Sequence, residues 1–173
     1  MSTSTASRRY RWLGAPATGA TLIVGLLLGA PLALGSRFLG LDHTRNLLTT
    51  LCAHQGIGSE GALLDEALGG GGPLLEDPLG LVFSPVARAL AVLAPESAAS
   101  VFTWLWFVLG AAAATYLGGS FGLSRRARLA LGVAWPLCGT ALDLILHGPY
   151  VVDVALVPLV WGGLRQLRRA ARV

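Results

Sequence analysis

Gly139-Thr-Ala-Leu-Asp143-Leu-Ile-Leu-His147-Gly-Pro-Tyr-Val-Val-Asp153 sets two carboxylates inside the most apolar half of the chain. The flanking runs, 129–146 and 150–164, have the composition of helices immersed in lipid. An acid in such a run is costly, so it marks a functional position by default and calls for a partner. The nearest candidate partner of each aspartate is the other.

The rest of the composition agrees with that reading. Of 173 residues, 54% are hydrophobic and 13% charged, with a mean hydropathy of +0.65. Such a chain is expected to be an integral membrane protein forming one domain over residues 1–173. All thirteen basic residues are arginines, grouped in short clusters beside apolar runs. That grouping suits membrane-flanking anchors, so the net charge of +4 does not point to nucleic acid. Cys52 lies in a polar stretch and Cys138 reads as mid-helix, which makes them poor disulfide partners. The spacings of His43, His54 and His147 match no ligand motif, so no metal or haem site is expected.

Four apolar runs are long enough to span a bilayer, at about 18–35, 100–117, 129–146 and 150–166. Pro136 predicts a kink in the third. His147-Gly148-Pro149 predicts a tight reversal into the fourth. Between the first two runs, residues 36–99 hold seven of the nine acidic residues and the Gly69–Gly72 run. This stretch reads as a sizeable outer loop region. It is expected to contain a short helix near Thr44–Leu51 and an interfacial piece, Pro85–Leu93, carrying Arg88. Arginine clusters precede the first run, separate the second from the third, and follow the fourth. The fold class expected is therefore all-α: a four-transmembrane-helix bundle, multi-pass in the inner membrane, with both termini cytoplasmic.

This topology sets depth. Asp143 comes fifteen residues after Arg128, about 22 Å along a helix, and Asp153 comes twelve before Arg165, about 18 Å. The two acids reach similar height toward the outer leaflet. Two adjacent carboxylates do not both ionise readily, so one would hold a proton while the other serves as base for attack of water on an amide. The plainer alternative is that each acid merely ends or starts a helix at the interface.

Gly139-Thr-Ala-Leu-Asp143 and His147-Gly-Pro-Tyr-Val-Val-Asp153 resemble the G-N-x-x-D-R and G-x-V-V-D-F motifs of signal peptidase II, the lipoprotein signal peptidase. Leu41-Asp42-His-Thr-Arg45 looks like that family's D-x-x-T-K, one residue short, and Gly80-Leu-Val-Phe83-Ser84 like its G-A-A-F-S. The resemblance implies a membrane aspartic peptidase that cuts prolipoproteins at the outer membrane surface without a metal or organic cofactor, with prolipoprotein and membrane lipid as partners. It implies Asp143 and Asp153 as catalytic residues. It also places Asp42, Arg45, Phe83, Thr140 and His147 at substrate. Thr140 stands where the family has asparagine and Leu144 where it has arginine. The family's downstream N-x-A-D motif is missing, so Asp153 would have to supply the second acid. A non-catalytic relative that binds lipid or peptide is the alternative this departure leaves open.

Overall fold

The computed structural model describes residues 14–38, 64–65, 72–73, 84–90 and 92–172. They are mostly helical. In order come α1 (Ala15–Ala33), a two-residue antiparallel ladder of β1 (Leu64–Asp65) with β2 (Gly72–Pro73), α2 (Pro85–Leu90) and α3 (Pro95–Ser120). Then follow α4 (Arg125–Ala134), α5 (Gly139–Asp143), a 3-10 segment (Leu144–Val152) and α6 (Asp153–Ala170). The helix expected near Thr44–Leu51 lies outside the described residues.

Local chemistry explains where the helices start and stop. Ser84 precedes Pro85, whose missing N–H suits a first helical position, and the Ser84 hydroxyl accepts from Ala87 N–H at 3.2 Å. Ser124 caps α4 in the same way, accepting from Ala127 N–H. The ends of α1 and α3 share one closure. Ser36 N–H reaches Pro31 O and Gly35 N–H reaches Leu32 O; Leu123 N–H reaches Gly118 O and Gly122 N–H reaches Gly119 O. Both patterns need a left-handed residue, which Gly35 (φ 90°) and Gly122 (φ 76°) supply.

Among the described residues, three helical stretches are long and apolar enough to cross a membrane: Ala15–Ala33, Ser97–Ser120 and Tyr150–Ala170. They match the first, second and fourth expected runs. The central one is α3, with 61% of its apolar window buried against 22% and 28% for the others.

The third expected run is divided. Helix α4 stops at Ala134, the chain turns through 135–138, and α5 adds five residues before the 3-10 segment. Pro136 has no N–H for the Gly132 carbonyl, and its ring crowds the preceding turn. The result is a break wider than the kink the sequence implied, and Cys138 lies exposed in the bend instead of mid-helix. The tight reversal expected at His147-Gly148-Pro149 is likewise replaced by nine residues of 3-10 helix. Proline at 149 removes a donor from the i→i−4 ladder there. Helix α2 is shorter than the expected 85–93, and α3 extends three residues past the expected end at 117.

The chain forms two compact units. Among described residues, the first comprises 14–30, 106–141 and 152–172. Its helices meet through small residues, the arrangement that lets apolar helices approach without a water-driven force between them. A Cβ on Gly132 of α4 would meet Thr115 Oγ1, Ala20 Cβ at 2.8 Å and Ala111 O at 3.0 Å, so α4 docks on α3 and α1 there. A Cβ on Gly110 of α3 would lie 2.6 Å from Val154 Cγ1, fixing α6 against α3.

Two polar contacts set the register of α6 in this unit. Trp135 Nε1 donates to Val154 O at 2.7 Å. In an α-helix that carbonyl would receive the N–H of residue 158, which is proline, so the indole supplies the donor that the backbone lacks. Arg165 Nε donates to Ser120 O at 3.1 Å, and its guanidinium lies 3.9 Å over the Phe121 ring. The end of α3, the start of α4 and the end of α6 therefore share one pole, which carries Arg125, Arg126, Arg128, Arg165, Arg168, Arg169 and Arg172.

The second unit comprises 31–38, 64–65, 72–73, 84–105 and 142–151 among described residues. Ala87, Ala98, Ala99, Phe102, Thr103 and Val151 are buried. Phe38 N–H donates to the buried Ser100 Oγ at 3.1 Å, a link across 62 residues of sequence.

Candidate functional site

Both aspartates of the opening stretch sit at helix termini. Asp143 is the last residue of α5 and Asp153 the first of α6, with the 3-10 segment between them. The acids belong to different units, Asp143 to the second and Asp153 to the first. Both are exposed on the protein surface.

The structure joins Asp143 to His147. Asp143 Oδ2 lies 3.5 Å from His147 Nε2 at an i, i+4 spacing, and the two side chains are 65% and 46% exposed. At that length and exposure the contact orients two groups without tying them firmly; comparable surface pairs contribute about 0–1 kcal/mol. A four-residue spacing between an acid and a base on a helical segment is visible in the sequence, yet it was read there as a turn.

Asp153 occupies the N-terminal turn of α6, where a negative charge meets the positive end of the helix dipole. The residue before it, Val152, makes no side-chain cap bond. Thr140 is exposed on α5, three residues before Asp143. Asp42, Arg45 and Phe83 lie outside the described residues, as do His43, His54 and Cys52. Among the described residues no group of three His, Cys, Asp or Glu side chains could hold a metal ion.

What the fold and this stretch define is a class only: a mostly helical protein with three helices of membrane-spanning length and two acids flanking a 3-10 segment. No protein-family signature, curated protein or solved structure matches the chain.

Proposed function

We propose that the chain crosses a membrane four times, with α4, the bend and α5 forming a broken third crossing, and that it acts as an aspartic peptidase of the signal peptidase II type. Support for the topology comes from the first unit, whose seven arginines share one pole while Asp153 opens α6 about 18 Å away from Arg165. The observation that supports the catalytic reading is the exposure of Asp143 and Asp153, which leaves each carboxylate reachable by substrate and water. In this reading one ionised aspartate takes a proton from water, which attacks the scissile carbonyl. The other, protonated, hydrogen-bonds the developing oxyanion, and a proton then passes to the leaving amine. In this reading Thr140 and His147 each contact the signal peptide of a prolipoprotein.

One observation favours a second reading. Asp143 already faces His147, and a carboxylate so engaged fits a non-catalytic relative that binds lipid or peptide.

Cleavage of a prolipoprotein by purified protein, compared with Asp143→Asn and Asp153→Asn, separates the two. The peptidase reading expects each variant to lose at least about 100-fold in rate, the scale of a lost general acid or base. Equal conversion by all three proteins would exclude it. Oxidative crosslinking of Asp143→Cys with Asp153→Cys, in a Cys52→Ser, Cys138→Ser background, tests whether the two positions meet at all.

A further inference from the structure

Helix α6 carries, from Leu156 to its C-terminal end, a surface feature that the peptidase reading does not use. Leu156, Val157, Val160, Trp161 and Leu164 line an open apolar groove of about 510 Å³. Trp161 and Leu164 also line a second cleft, of about 280 Å³, completed by Arg165, Arg168, Arg169 and Arg172. The two grooves are therefore continuous. Positions 157, 160, 161, 164, 165, 168, 169 and 172 follow three- and four-residue steps, so they form one stripe along a helix, apolar in its first half and cationic in its second.

The apolar half runs about 12 Å from Leu156 to Leu164, and the basic half about 10 Å beyond it. Leu156, Val157, Val160, Trp161 and Leu164 are 40–58% exposed, left uncovered by the other described residues of the first unit. Arg165 is held in place by Ser120 O and the Phe121 ring. Arg168, Arg169 and Arg172 are exposed beside it. Four guanidinium groups at a helix C-terminus are also favoured by the dipole, and each can take a phosphate bidentately.

We propose that this stripe is a binding site for one anionic phospholipid, its headgroup phosphate among Arg165, Arg168, Arg169 and Arg172 and an acyl chain along the apolar groove. A zwitterionic lipid brings its own cation to the arginines and gains less. A free phosphate leaves the apolar half unfilled, and a nucleic acid has no acyl chain for it. The assignment rests on α6 as a membrane span and is independent of any peptidase activity. Trp161 sits where the stripe changes character, the depth at which an indole suits a headgroup boundary.

Native mass spectrometry of the full chain, released from mixed anionic and zwitterionic phospholipid, tests the proposal. The wild type is expected to keep one anionic phospholipid in preference to the zwitterionic one. Arg168→Gln/Arg169→Gln should weaken that retention by roughly fivefold for each arginine removed. Val160→Ser, at an exposed groove position, should weaken it further. Arg125→Gln/Arg126→Gln removes the same charge outside the stripe and should leave the preference intact. Equal retention of both lipids by the wild type would overturn the site. So would equal loss from both arginine pairs, or displacement of the lipid by inorganic phosphate or an RNA oligonucleotide at matched charge.

Discussion

Val154 O is an acceptor whose α-helical donor does not exist, because residue 158 is proline. Trp135 supplies that donor from another helix end, so its indole matters more than its bulk. Trp135→Phe keeps a ring but orphans the carbonyl, at a cost of about 1–3 kcal/mol. In a Pro158→Ala background the backbone N–H returns and the same change should cost much less. Unfolding in detergent of the four proteins of this cycle measures the coupling, and additivity would refute it. Gly132 makes a parallel case. Its Cβ position is taken by Thr115 Oγ1, Ala20 and the Ala111 carbonyl, so Gly132→Ala should lower stability by about 1–3 kcal/mol. Adding Thr115→Ala should restore part of that loss. Neither contact was legible beforehand, because both join residues whose proximity only the packed helices create. The Asp143–His147 pair was legible as a four-residue spacing and was passed over because Gly148-Pro149 suggested a turn.

At the scale of elements, apolar length carried most of the information. Helices α1, α3 and α6 appear as runs of composition alone, and their observed limits differ by a few residues where a cap decides the end. The Gly122 closure of α3 is such a case. Gly122→Ala forces a side chain into a left-handed conformation and should destabilise the protein by about 1–2 kcal/mol, read as a lowered midpoint of thermal unfolding. An unchanged midpoint would show that α3 ends by other means. The third run was harder to read. Proline 136 announces an interruption, but the missing N–H does not say how many residues pass before a helix resumes. Here four do, 135–138, and α5 then gives way to 3-10 turns within five residues.

For the whole molecule, the arginine pole makes a directional prediction. In a Cys52→Ser, Cys138→Ser protein reconstituted in vesicles, cysteines placed at Leu123 and Arg172 should react with an impermeant maleimide from one side. A cysteine at Tyr150 should react from the other. Reaction of all three from one side would rule out the four-crossing arrangement. Charge pattern is what leads to this expectation, because arginine clusters record which side of a bilayer a loop stays on; of the four runs expected, three are helices of spanning length among the described residues. The stripe on α6 is harder to see in the sequence, because four arginines after an apolar run mark a membrane boundary whether or not they share a helical face.

The indole that completes α6 also has a place in time. Trp135 leaves the ribosome nineteen residues ahead of Val154, so the donor is already available when its acceptor emerges. A nascent chain arrested after residue 173 plus a tether should therefore insert its last hydrophobic segment more completely with Trp135 than with Phe at that position. The difference should vanish when Pro158 is replaced, and the order of synthesis then becomes part of how the final helix is made.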